Sequence, residues 1–253
     1  MSISIFEIFS IGIGPSSSHT VGPMRAARKF VIDLKASLDA VTRVEVTLYG
    51  SLAFTGKGHG THKAILMGLE GESPEAINPD TIPERLKKIE EQHQLSLLGQ
   101  HTINFHTNSD LIFNFKEELP YHPNGMQFKA FDVDGNLIEQ DIYYSIGGGF
   151  IVNEAQAKAD QAPASKVPVQ YPFKTAQELF DHCRREHLRV SELMFANEQA
   201  WRSPEEIRTG ILNIARTMEE CINKGCHSGG ILEGGLQVKR RAPALYQKLL
   251  AQG

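Results

Sequence analysis

The sequence lacks most of what marks a membrane, secreted or nucleic-acid-binding protein. Its 253 residues hold three cysteines, Cys183, Cys221 and Cys226, all in the last third. An odd number placed in this way argues against a disulfide framework and predicts reduced thiols. No segment has the roughly 18 uninterrupted apolar residues of a membrane span. The start, MSISIFEIFS, lacks the basic region and long apolar core of a signal peptide. With 26 basic against 30 acidic residues the formal net charge is −4, and no run of Lys or Arg is long enough to follow a nucleic-acid backbone. Internal repeats and low-complexity tracts are missing as well. These absences predict a cytosolic chain of one or two domains with a sizeable core, and neither nucleic acid nor membrane as a partner.

What is present begins with residues 12–27, GIGPSSSHTVGPMRAA. Two glycines and a proline precede three serines, a histidine and a threonine, and the chain then enters a helical pattern. The first N–H groups of a helix have no partner within it, and the macrodipole leaves that end partly positive. Hydroxyls of Ser16, Ser17, Ser18 and Thr20 could join those amides around a carboxylate or phosphate. A well-capped helix is the plainer reading, since Ser, Thr and Gly are favoured at caps.

Downstream, Ala26, Ala27, Phe30, Val31, Leu34 and Leu38 recur at helical spacing, which predicts a helix over residues 19–37. Residues 43–49 (RVEVTLY) alternate as a half-buried strand does, and a glycine-rich loop is expected over 50–60. A second helix starts at Thr61 and stops at Glu70-Gly71. A charged helix follows Thr81-Ile82-Pro83. Strands are expected at 102–106, 111–115, 127–131 and 137–144, the last two joined by a turn at 132–136. Residues 155–168 read as an exposed linker, after which the pattern turns helical. Thr175 and Ser203 open capping boxes. The second of these starts a helix with Ile207, Ile211, Ile214, Met218 and Cys221 on one stripe, ending at Lys224-Gly225 and burying the Cys221 thiol. A flexible loop over 229–235 and a last helix over 239–250 complete the pattern.

Two further polar stretches could carry chemistry. In residues 55–61 (TGKGHGT) His59 lies between glycines, exposed and mobile enough for a general base, or else simply a solvent histidine in a turn. His122-Pro123-Asn124-Gly125 puts a histidine and an amide before a strand, in what is also an ordinary turn. A triphosphate loop is excluded, because Lys57 is followed by Gly58 and not by Ser or Thr. Residues 15–19 are not a nucleophile elbow of the GxSxG kind, and Cys221 and Cys226 have no second pair to complete a zinc site.

Taken together, IGIGPSSSHTVGPM, YGSLAFTGKGHGT, HPNGM, YYSIGGGFIV, VPVQYPF and GGLQVKRRA resemble, in order, the N-terminal part of the iron-sulfur-dependent bacterial L-serine dehydratases (L-serine ammonia-lyases) of single-chain type. The resemblance implies an α+β fold, with a mixed sheet-and-helix β domain over 1–155, a linker over 156–170, and over 171–253 the start of an all-helical α domain. The implied reaction converts L-serine to pyruvate and ammonia without pyridoxal phosphate, the iron of a [4Fe-4S] cluster acting as a Lewis acid on the hydroxyl while a protein base removes the Cα proton. By the same resemblance Ser16, Ser17, His19 and Thr20 would hold the substrate carboxylate with Asn124 as a further contact. His59 or His122 would be the base, His59 being favoured for its glycine loop. The family's cluster cysteines lie beyond position 253, and none of the three here matches them. A truncated product or fragment, inactive alone and forming a homo-oligomer such as a dimer, is therefore expected. His62 stands where the family pattern has aspartate, which removes a carboxylate able to orient His59. The alternative is an amino-acid- or anion-binding regulatory module related to an allosteric substrate-binding domain.

Overall fold

In a computed structural model of the chain, residues 4–159, 167–232 and 237–252 are described. The chain divides into two compact units. One comprises Gly12–Ala162; the other contains the first eleven residues together with most of the chain after Pro163. Each is built differently.

The first unit is organised on a five-stranded mixed sheet. Its strands are β1 (Arg43–Leu48), β4 (Leu111–Phe113), β5 (Gly125–Phe131), β6 (Leu137–Gly147) and β7 (Phe150–Asn153), and a separate antiparallel pair joins β2 (Gln94–Leu97) to β3 (His101–Asn104). The order in the large sheet is β4-β1-β5-β6-β7, with β1 and β4 parallel and the other pairs antiparallel. In β1 the expected alternation holds: Val44, Val46 and Leu48 are fully buried. The helix Gly22–Asp33, continued by a 3-10 segment Leu34–Ala40, buries the very stripe its spacing announced, from Ala26 to Leu38. Phe30 stacks on Phe128 of β5 at 5.3 Å, and Phe128 meets Tyr143 of β6 edge-on at 5.8 Å. The helix Thr61–Leu69 lies against Gly22–Asp33 so closely that a Cβ on Gly68 would come within 2.4 Å of the Met24 carbonyl. Only glycine permits that approach.

In several places the chain departs from its sequence pattern. The stretch 50–60 is not an open loop, because residues Gly50–Thr55 form a helix and its remainder closes as a tight turn. The presumed linker begins with another helix, Glu154–Lys158, capped by Asn153 and Gln156, while residues 160–166 lie outside the described residues. Strands β2 and β7 had no counterpart in the pattern. Both are four residues long.

The second unit is helical. Its helices are Ile5–Ile8, Ala176–Glu186, Val190–Glu198, Pro204–His227 and Ala242–Ala251. Ser4 and Glu7 make a capping box, and the buried Glu198 carboxylate accepts from Ser4 Oγ (2.7 Å), the Ile5 amide (2.9 Å) and Arg202 Nη1 (2.5 Å). Arg202 also lies over the Phe6 ring. Residues 4–11 therefore group with the helices, whereas the resemblance implied a β domain that begins at residue 1. The capping box at Ser203 is present, but the helix it opens runs past Gly225 to His227. Of the expected apolar stripe only Ile207 is buried. Cys221 is exposed, so the buried thiol expected there is corrected: no described residue covers that part of the helix. Part of the expected loop over 229–235 lies outside the described residues.

Candidate active site

Ser16, Ser17, Ser18, His19 and Thr20 occupy one turn of unusual width. Residues Ser17–Val21 form a π-helical turn that leads directly into Gly22–Asp33, with Pro23 in the first turn, where its missing N–H is harmless. Ser16 caps it: its Oγ accepts from the His19 amide at 3.2 Å, and its carbonyl accepts from Thr20 (2.9 Å) and Val21 (3.2 Å). These bonds leave the amides of Ser17 and Ser18 and the Ser17 hydroxyl without an acceptor or donor among the described residues. They are free for a ligand.

His19 is held at both ring nitrogens, by Ser18 Oγ at Nδ1 (2.9 Å) and by Ser51 Oγ at Nε2 (3.0 Å). Its ring lies 4.8 Å from that of His59. Burial, reinforced by the neighbouring His59, holds His19 below the usual imidazole range against the opposing pull of its bond to Ser51. The two histidines are also tied through their backbones. Thr20 Oγ1 donates to the His59 carbonyl at 3.0 Å, and Thr61 Oγ1 donates to the His19 carbonyl at 2.5 Å. Pro23, four residues beyond His19, has no N–H to offer that carbonyl, and the Thr61 hydroxyl takes its place. Each histidine is thus braced by the threonine beside the other.

His59 is less mobile than its glycine neighbours suggest. Its amide and its Nδ1 both lie within hydrogen-bond reach of the Thr55 carbonyl, at 3.2 and 2.9 Å. A carbonyl only accepts, so Nδ1 carries a proton, and in the neutral ring Nε2 keeps its lone pair. His122 has the opposite tautomer in its neutral form: its Nδ1 accepts from the Asn124 amide at 3.1 Å, which leaves the proton on Nε2. Burial also pushes His122 below the usual range. Asn124 is buried, with one N–H of its Nδ2 donated to the Ser145 carbonyl at 3.0 Å, which leaves its oxygen and the second N–H uncommitted. The HPNG turn reaches the first cluster through Pro123, whose carbonyl accepts from the Ser51 amide at 2.9 Å.

Some site residues escaped sequence reasoning. Ser51, Thr61 and Ser145 all sit within the quoted motifs, yet their roles depend on partners 21 to 42 residues away. The signal available for Ser51 was an expected strand over 43–49 that ends directly before Gly-Ser. His62 supplies no carboxylate to His59; its Nδ1 is enclosed without a partner, and burial, with Lys63 and Lys57 adding to it, lowers its pKa. For a metal cluster the described residues do not fit: no three His, Cys, Asp or Glu side chains among them converge.

The sequence profile of the serine dehydratase beta chain family matches residues 4–156. The chain belongs to that family. Across its whole length this serine dehydratase beta chain relative is 48% identical to a protein named L-serine dehydratase from Streptomyces coelicolor, of which it covers 56%. It is 45% identical to L-serine dehydratase 1 of Escherichia coli over 98% of its length and 55% of that protein, and 43% identical to the L-serine dehydratase of Mycobacterium tuberculosis over all of its length and 54% of that protein. The chain spans about half the length of the curated relatives it matches. Within the family-matched region lie the π-helical turn, His59, His122 and Asn124. No helix among the described residues is long and apolar enough to cross a membrane.

Proposed function

We propose that the turn over Ser16–Thr20 holds the α-carboxylate of L-serine and that His59 removes the Cα proton, in an L-serine dehydratase that yields pyruvate and ammonia. One observation carries this reading. Two unshared amides and the Ser17 hydroxyl, a set suited to a carboxylate, lie on the same turn as His19, whose ring is 4.8 Å from a histidine with an unengaged Nε2. A carboxylate gripped there by charge-assisted hydrogen bonds presents its Cα to the neighbouring imidazole.

The tautomers divide the work. His59 donates at Nδ1 to Thr55 and so accepts at Nε2, which suits a base; His122 presents an N–H there and suits a hydrogen-bond donor to the substrate. Asn124 Oδ1 can accept from the substrate ammonium. The resemblance implies a [4Fe-4S] cluster, but the described residues offer no donor set for it, so the departure of the hydroxyl draws on groups beyond them. The reading takes the enzyme as cytosolic and homo-oligomeric, the latter checked by light scattering.

Calorimetry with L-serine, propionate and phosphate tests the carboxylate grip. L-serine and propionate should both bind, and Ser17→Ala and His19→Ala should each abolish or strongly weaken the response. A response to phosphate alone would favour an anion-binding regulatory module. Anaerobic reconstitution with iron and sulfide, followed by a pyruvate assay, tests turnover.

A further inference from the structure

The pairing of Ser51 with His19 has a meaning beyond carboxylate binding. Strand β1 ends at Leu48, Gly50 takes a left-handed φ of +50°, and Ser51 sits in the first turn of the helix that follows. A Cβ at Gly50 would lie 2.4 Å from the Pro123 carbonyl oxygen, the oxygen that accepts the Ser51 amide. The turn is therefore fixed between β1 and the HPNG segment. It is a strand-to-helix turn that presents a serine, the arrangement in which nucleophilic serines are exposed. The serine is half-buried and within reach of solvent.

The hydroxyl faces a base. His19 Nε2 lies 3.0 Å from Ser51 Oγ, and Nδ1 lies 2.9 Å from Ser18 Oγ, which in turn is 3.3 Å from Ser16 Oγ. One consistent direction of donation runs through the chain. Ser51 Oγ donates to Nε2, Nδ1 donates to Ser18 Oγ, and Ser18 donates to Ser16. Nucleophile, base and a third group orienting the base are present in order, with serine in the third place where a carboxylate more often stands.

We propose that Ser51 is an acylatable nucleophile activated by His19, reactive toward small carboxylic esters with good leaving groups. Ser51 Oγ attacks the ester carbonyl carbon while its proton passes to His19 Nε2. The tetrahedral adduct collapses by breaking the bond to the leaving oxygen, which takes that proton from Nε2, and the acyl group remains on Ser51. Water, deprotonated by the same nitrogen, then releases the acid and restores both residues. A neutral serine stabilises the imidazolium less than a carboxylate does, so the activity is modest beside that of a triad with aspartate. This inference does not depend on the reading of L-serine as substrate.

The test uses the whole chain, with p-nitrophenyl acetate and a fluorophosphonate as probes. Peptide mass mapping should find one adduct, on Ser51. Ser51→Ala should abolish it, and His19→Gln should slow p-nitrophenolate release about 100-fold, the low end of what a general base supplies. An adduct on another residue, or labelling unchanged in Ser51→Ala, would overturn the proposal. So would a His19→Gln rate equal to that of the parent. Because the mapping is done on the unaltered chain, it decides the question even where a variant does not fold.

Discussion

The crossed threonine braces can be dissected with valine, which keeps the shape of threonine and removes its hydroxyl. Thr61 is fully buried and Thr20 nearly so. Thr61→Val deprives the His19 carbonyl of its donor, and Thr20→Val does the same to the His59 carbonyl. Leaving a partly buried acceptor unpaired costs at most about 1–3 kcal/mol, from which the added methyl returns a fraction, so about 1–2 kcal/mol is expected for each. For a domain of this size that lowers the melting midpoint by about 2–8 °C. The sites share the two histidines, so the double variant should depart from additivity by about 0.5 kcal/mol or more. Because the braces set where the two rings stand, L-serine binding should weaken by about tenfold, or 1.4 kcal/mol, in either single variant. Circular-dichroism melts and calorimetry measure the two effects. If both single variants melt within about 1 °C of the parent and bind L-serine unchanged, the braces do not position the histidines and the argument fails.

Other outcomes follow from single features. Ser145→Ala removes a fully buried hydroxyl that has no partner, so it should leave the melting midpoint unchanged or raise it, where replacing a paired serine would lower it. Gly68→Ala should destabilise by about 1–3 kcal/mol, because the new methyl meets the Met24 backbone, whereas Gly225→Ala, in open space within its helix, should stabilise by up to about 1 kcal/mol; chemical denaturation distinguishes the signs. His19, His62 and His122 all have folded pKa values below the ordinary 6.5, so below that pH the unfolded chain binds more protons than the folded one. Their stabilising contribution is complete above about pH 6.5 and is lost as the pH falls toward the folded values. Denaturation curves between pH 5 and 8 should show this decline, and His62→Gln should flatten it.

Much of the sheet unit could be read from residue spacing because its elements face a core on one side. The alternation in β1 and the stripe from Ala26 to Leu38 are imposed by burial, and burial leaves a period. The helix Gly50–Thr55 left none, since it is only six residues long, opens on a glycine and begins one residue after a strand ends. Cys221 illustrates the converse case. Its place on an apolar stripe suggested a core, but a stripe records only what a helix could cover, and no described residue covers it. At the site, the residue types at 16–20, 59, 122 and 124 were visible. The link from His19 to Ser51, and the exchange of carbonyls between Thr20 and Thr61, join residues 32 to 42 apart and belong to the fold. Tautomers are set by such partners, so the contrast between His59 and His122 could not be seen before they were placed.

The Ser4, Glu198 and Arg202 cluster bears on how the chain can be divided. Because residues 4–11 pack with helices from the far end of the sequence, the sheet unit is an insertion: the polypeptide leaves one body, completes another, and returns. A cut after about residue 155 would therefore strand the opening helix from its carboxylate anchor at Glu198 and leave the helical body short of a piece. Excision of the sheet unit calls for two cuts, near residues 12 and 159. A tag or fusion at the amino terminus extends the helical unit's chain, and a loss of stability it caused would be misread if assigned to the site.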